Sequence, residues 1–499
     1  MAGLNHVNLF SMSVIRQVKN QHLLWRAGFG PSVNDLSQTY NASPEAYFKA
    51  LARASSKDPV YIKIADNIMD GLVKGIKEVG RLENLSKEEK KELGQKSREE
   101  IRNLNLEWIE EMVHSEQQLR EKMSLFWHGH FACRNLNVVF QQELLHIIRK
   151  NALGNFGDML REVSKSAAML AFLNNQQNKK EHPNENFARE VMELFTMGRG
   201  NYSEEDIKEA ARAFTGWGFN LKGEFVFRKF QHDNGIKKIL GKSGNFDGDD
   251  ILSILLEQKQ TAKFITRKIY KYYVNENVVD ENIVNSLADK FYQSNYDISS
   301  LLKNIFTSDW FYNNKNIGSK IKSPIELIVG IRRILPVTFE QPEAQLLVQR
   351  VLGQILFYPP NVAGWPGGKN WIDSSTLMFR LRIPQLLANA DEFAVRPKEM
   401  PDDMLENYQM KQQNNSKVVD KRIQSQMVNA TIDWSGVIKQ FSAISRENLL
   451  GEIALTLLQS ASSAINKNIL EKYIDNTSKE TYIKTAVVQL MCTPDYQLC

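Results

Sequence analysis

The sequence predicts a mainly α-helical protein, a large multi-helix globule, and three observations carry that prediction. Apolar residues recur at the helical period along most of the chain. Helix-start signals precede several of these runs, as in Tyr202-Ser203-Glu204-Glu205-Asp206 and Lys322-Ser323-Pro324-Ile325-Glu326. Brief alternation is confined to a glycine- and aromatic-rich stretch near 219–248, which reads as a short β-hairpin or irregular excursion.

Taken in order, residues 84 to 113 open with Asn84-Leu85-Ser86 and a mixed-charge run, where Ser86 and Glu89 fit a capping box. Leu119, Met123, Phe126 and Trp127 then share one face of a helix that Gly129 is expected to end or distort. Two helical patterns flank Gly154-Asn155-Phe156-Gly157. A helix over 184–198 closes at Gly198, and the next is capped by Ser203 with acids in its first turn. Helices return over 249–312 and 323–336, the second with Ser323 as cap and Pro324 at its first position. A Pro/Gly/Trp loop covers 357–372. The domain reading is a helical core over 1–395, a polar linker or mobile insertion over 396–429, and C-terminal helices over 430–499 packing back on the core.

Composition narrows the function. The 499 residues carry 63 basic and 58 acidic side chains, a net charge of +5 and no nucleic-acid footprint. Cys133, Cys492 and Cys499 are too few and too scattered for a disulfide framework or a thiolate metal site. No stretch has the length of about 18 to 20 apolar residues that a membrane span needs. The first residues lack the pattern of a signal peptide, so the default expectation is cytoplasmic, with export left open by a misplaced start codon. There is no GxGxxG, Walker loop, GxSxG or HExxH.

Three segments offer chemistry. In Phe126-Trp127-His128-Gly129-His130-Phe131 the two imidazoles point the same way only on an extended or irregular backbone, which Gly129 would permit. The alternative is that both pack among aromatic neighbours at a helix end. In the second, which starts at His182, Asn186, Arg189, Glu190 and Glu193 share a helix face; facing water it is unremarkable, facing inward it needs a cation. In the third, His232, Asp233 and Lys237 sit in a glycine-containing turn, as a ligand set or a base with its orienter, or simply as a turn. Of only eight histidines, His128, His130 and His232 fall in these polar, aromatic and glycine-rich segments. The site expectation follows: His128, His130, Glu190 and His232 hold a divalent or transition metal ion of unspecified identity, with Glu193 or Asp233 as further ligand or base. Arg189 and Lys237 neutralise an anionic substrate or hold the carboxylates. Trp365 and Trp371, in the Pro/Gly loop, can wall a sugar or peptide site or plug the core, and the plug is preferred.

The motifs, in order, resemble the family called domain of unknown function 1800. The resemblance runs from His22-Leu23-Leu24-Trp25-Arg26 through the Phe126–Phe131 segment, Asn184 to Gly198 and Tyr202 to Trp217. It continues through His232 to Lys237, Thr261-Ala262-Lys263-Phe264-Ile265-Thr266-Arg267-Lys268-Ile269-Tyr270, Lys322 to Glu326 and Asn361 to Trp371, and it ends near Thr493–Gln497. It implies a bacterial, mostly helical protein, often exported, encoded beside a second family resembling alkaline-phosphatase-type hydrolases. It carries over no activity. Two expectations therefore stand side by side: a metal-dependent hydrolase or oxidoreductase, and a non-catalytic binding or assembly protein partnering a phosphatase-like protein.

Overall fold

The computed structural model describes residues 16–33, 35, 42–65, 86–389, 429–459 and 466–499. Helix dominates them. After α1 (16–27) and α2 (Pro44–Ala54) come α3 (Lys87–His114), α4 (Gln118–His130), α5 (Val138–Asn151), α6 (Phe156–Lys165) and α7 (Ala167–Phe172). The short α8 (Asn186–Glu190) continues as a π-helical turn over Val191–Thr196, followed by α9 (Glu204–Ala213). Next are α10 (Gly248–Glu257), α11 (Lys259–Tyr273), α12 (Glu281–Gln293), α13 (Ile298–Phe306), α14 (Pro324–Ile334), α15 (Ala344–Leu352) and α16 (Ser374–Asn389). The C-terminal set is α17 (Ser435–Phe441), α18 (Arg446–Leu457), α19 (Lys467–Leu470) and α20 (Lys479–Met491). Among the described residues no helix is long and apolar enough to cross a membrane.

Local chemistry sets the starts of these helices. Ser203, Asp247 and Ser323 each close a capping box with the acid three positions on, Asp206, Asp250 and Glu326. Each satisfies amides that the first helical turn leaves without partners. The excursion between α9 and α10 forms two antiparallel hairpins rather than one. Trp217–Phe219 pairs with Phe225–Phe227, and Lys237–Ile239 with Lys242–Gly244. A third pair joins Val337–Phe339 to Ala430–Ile432, so the segment before α17 is tied to the end of α14. Apart from Asn429, the polar stretch at 396–429 lies outside the described residues.

Three apolar clusters form the interior. The largest gathers Trp127, Phe131, Phe156, Phe195, Phe214 and Tyr273 from α4, α6, α8, α9 and α11. A second joins Trp25 to α14, α16, α18 and α20. A third packs Leu104, Trp108 and Ile109 of α3 on Leu125, Ile325 and Phe357. Helix α14 is buried on every side because it serves two clusters at once: Leu327 and Ile331 face one, Ile325 and Val329 the other.

Helix α4 is also buried nearly all round, despite three consecutive charges. Each of them is paired, as burial of charge demands. Arg120 donates to the carbonyls of Ser55 and Arg149 at 2.8 and 2.7 Å. Glu121 accepts from Arg149 at 2.8 Å. Lys122 donates to Glu326 of α14, whose same oxygen accepts from Lys320 at 2.6 Å.

One expectation about this helix is overturned. It runs unbroken through Gly129 to His130, and Phe131 is its C-cap. A methyl at Gly129 would meet nothing within 4 Å, so no close contact there requires a glycine. What Gly129 provides is space on its outer side.

Candidate functional site

The continuous helix decides the fate of the His128–His130 pair. Two positions apart on α4, the side chains project roughly 200° apart. His128 is sealed among Trp108, Phe357 and Trp365, at ring separations of 5.1, 5.0 and 5.3 Å. Its Nε2 accepts the Phe357 amide at 3.1 Å, so the ring proton sits on Nδ1. Burial alone lowers its pKa to about 3, and the ring is neutral. Phe357 itself holds φ at +68°, an uncommon conformation for a bulky residue.

His130 faces the other way. Its Nε2 lies 3.2 Å from the Phe195 carbonyl, which can only accept, so Nε2 carries the proton. That carbonyl belongs to the last turn of the π-helical segment and has no helical donor of its own. The Nδ1 lone pair of His130 therefore points at Lys268 of α11, whose Nζ donates to it at 2.8 Å. Burial, followed by the charge of Lys268, holds His130 well below its ordinary pKa.

The other proposed ligands stand elsewhere. Glu193 accepts from Tyr202 at 2.7 Å and from Arg199 at 2.5 Å, and these bonds, the Tyr202 one first, lower its pKa. Half-buried Glu190 is raised by burial and by the neighbouring Glu193. Arg189 is spent on Glu204 at 2.7 Å and Glu185 at 3.1 Å. His232 donates from Nδ1 to the Thr215 carbonyl at 3.0 Å, and burial lowers its pKa. Asp233 pairs with Arg212 at 2.7 Å. Lys237, lowered by burial, donates to the Asp233 carbonyl and to Asn245 Oδ1 at 3.2 Å. Among the described residues no three His, Cys, Asp or Glu side chains group as metal ligands. The donor set expected from His128, His130, Glu190 and His232 therefore does not fit a metal ion. Helix geometry parts the two histidines, and His232 is committed to the Thr215 carbonyl.

What does converge is a cavity of about 540 Å³ on the His130 side of α4. Phe126, Gly129 and His130 of α4 form one wall, Lys268, Lys271, Tyr272 and Glu276 of α11 and its C-terminal extension another, and Lys320 with the 363–371 loop the rest. The loop is pressed against α4. Gly364, at φ +84°, sits so close that a Cβ there would lie 2.4 Å from the Gly129 carbonyl oxygen. Gly368, at φ +62°, passes within 3.1 Å of the Glu276 carboxylate by the same measure. Trp365 and Trp371 both line the space, so the two tryptophans wall a cavity while Trp371, 7% exposed, also seals the interior.

The charges of the cavity are lopsided. Lys268, Lys271, Lys320 and Lys369 line it against one carboxylate, Glu276. Lys320 is committed to Glu326 and also lies 4.0 Å from the centre of the Tyr272 ring. Burial would raise Glu326, but Lys122 and Lys320 overrule it and keep the carboxylate ionised. Lys268 has His130 and the Phe264 ring at 5.3 Å as its neighbours and no carboxylate partner among the described residues. Burial lowers it to about 8. Burial is also the main cause that raises Glu276.

Sequence reasoning missed Lys268, Tyr272, Glu276 and Lys320. One signal was present: Phe264, Lys268 and Tyr272 recur at four-residue spacing, which stacks a cation between aromatics on one face of α11.

The sequence matches the family described as "Protein of unknown function (DUF1800)" over residues 22–498. No curated protein and no solved structure matches the chain. Because the match covers nearly its whole length, the chain belongs to the DUF1800 family.

Proposed function

We propose that the protein binds a small anionic molecule with a planar or apolar portion in the cavity between α4, α11 and the 363–371 loop. The observation that carries this reading is Lys268, a cation at a cavity wall with an imidazole lone pair and a ring for company and, among the described residues, no carboxylate paired with it. A desolvated ammonium of this kind is costly until an anion arrives. Lys271 and Lys369 at the mouth add attraction, and Trp365, Trp371 and Tyr272 offer flat faces to the rest of the ligand. The arrangement suits a carboxylate, sulfonate or phosphate joined to a ring.

The test uses two probes of one shape and opposite charge, 2-naphthoate and 2-naphthamidine, with calorimetry or ligand-observed NMR on the full chain. The expected result is binding of the carboxylate alone, weakened by added salt and lost in Trp365→Ala. Equal binding of both probes, or naphthoate binding indifferent to Trp365→Ala, would overturn the reading.

A further inference from the structure

We propose that Lys268 is a reactive amine, and that the anion taken up by the cavity is a carbonyl compound, a 2-oxo acid or aldehyde acid, which condenses with it. This inference rests on the anion-binding reading and adds covalent chemistry to it. Three features of the geometry carry it.

First, Lys268 lines an open cavity that can admit a ligand. Second, no carboxylate holds the side chain in its ammonium form among the described residues, and burial lowers its pKa to about 8, in keeping with an amine that is partly neutral near physiological pH. Third, its one hydrogen bond leaves the nucleophile free. Because His130 Nε2 is committed to the Phe195 carbonyl, Nδ1 is an acceptor, and Lys268 donates an N–H to it at 2.8 Å. A neutral amine that donates one hydrogen keeps its lone pair for attack.

The step balances without any oxidant or reductant. The Nζ lone pair forms a bond to the carbonyl carbon while the C=O π pair moves to oxygen. His130 Nδ1 takes one nitrogen proton and that proton is returned to the oxygen, giving a neutral carbinolamine with the imidazole as it began. Loss of water then breaks the C–O bond as the nitrogen lone pair forms C=N. The hydroxyl leaves as water with a proton from solvent or from Glu276 in its protonated form, which burial favours, and the product is the protonated imine. Hydrolysis runs the same sequence backwards. Lys369 and Lys271 hold the substrate's anionic end.

The experiment treats the full chain at pH 8 with glyoxylate and cyanoborohydride, and in parallel with acetaldehyde, an uncharged aldehyde. Modified lysines are located by peptide mass mapping over time. Lys303, an exposed lysine of α13 that does not line the cavity, is the internal reference. Lys268 is expected to be labelled by glyoxylate on the order of tenfold faster than Lys303, with less preference for acetaldehyde, and 2-naphthoate is expected to protect it. His130→Gln is expected to slow the labelling of Lys268 and leave that of Lys303 unchanged. Labelling of Lys268 no faster than Lys303 would overturn the imine. In that case the naphthoate and naphthamidine comparison still decides the binding reading independently. Fast labelling by both aldehydes with no protection by naphthoate would overturn the claim that the carbonyl substrate is an anion.

Discussion

Two regions of the molecule concentrate polar side chains, and they spend them differently. In the face built from residues 185–237, nearly every charge has a neighbour of opposite sign or a carbonyl. Arg189 answers Glu204 and Glu185, Arg199 answers Glu193, and Arg212 answers Asp233 and Glu209. In the cavity beside α4, Lys268 has no such neighbour among the described residues, and Glu276 is kept half-buried with its pKa raised. The first region is saturated and mostly wet, the second unsaturated and partly dry. Ligand chemistry belongs where desolvation has been endured without compensation.

Among substitutions, the largest effect on stability should come from glycines that share one backbone conformation in the two regions. Gly364 and Gly200 both have φ +84°, but a Cβ on Gly364 meets the Gly129 carbonyl oxygen at 2.4 Å and one on Gly200 meets nothing within 4 Å. Gly364→Ala is expected to cost about 2–4 kcal/mol in urea unfolding, strain plus overpacking. Gly200→Ala should cost about 1 kcal/mol, strain alone. Equal costs would show that the loop is not pinned to α4.

Acid should separate the buried imidazoles from the wet ones. His128, His130 and His22 all have folded-state pKa values below the ordinary one, with burial the first cause. A group neutral in the folded protein takes up a proton only on unfolding, so below pH about 6.5 the unfolded chain binds more protons. Stability then falls as pH falls, by about 1.4 kcal/mol per pH unit for each such group. For His128 the loss continues down to about pH 3. Urea midpoints measured between pH 7.5 and 4.5 should show this slope, and His128→Gln, which keeps an acceptor for the Phe357 amide, should reduce it. An unchanged slope in that variant would mean the imidazole is not neutral in the folded state.

Asp233→Asn should cost about 1–2 kcal/mol, since it weakens charge-assisted bonds to Arg212, and should leave naphthoate binding untouched. Loss of binding would mean that the two regions are coupled. The smallest change in stability is expected from Gly129→Ala. The methyl has open space and alanine is the better helix former, so stability should hold or rise by up to about 1 kcal/mol. The same methyl intrudes on the cavity, so naphthoate should bind more weakly. Gain in stability with unchanged binding would place the ligand elsewhere.

Much of the fold was legible because helix signals are local. Ser203 and Ser323 cap as their sequence context predicts, and Gly198 takes a left-handed φ of +78° after the helix it closes. The site was hardly legible. Adjacent histidines look like partners in a sequence, but an unbroken helix sends them to opposite sides. Lys268 looks like any lysine on an amphipathic helix, because desolvation is a property of what packs around it from distant parts of the chain. The Pro/Gly/Trp loop was conspicuous, yet only its approach to Gly129 shows that it bounds a space as well as sealing one.

The Lys122–Glu326–Lys320 triad has a mechanical consequence. Its carboxylate is wholly shielded from water and belongs to α14, while one of its two ammonium partners belongs to α4. Pulling those helices apart would strand an ion in a dry interior, at about 3–5 kcal/mol. A rivet of that kind resists hinge-like gaping between the bodies on either side. Lys320, the second ammonium of the triad, lines the cavity, so that wall keeps its shape whether or not a ligand is there.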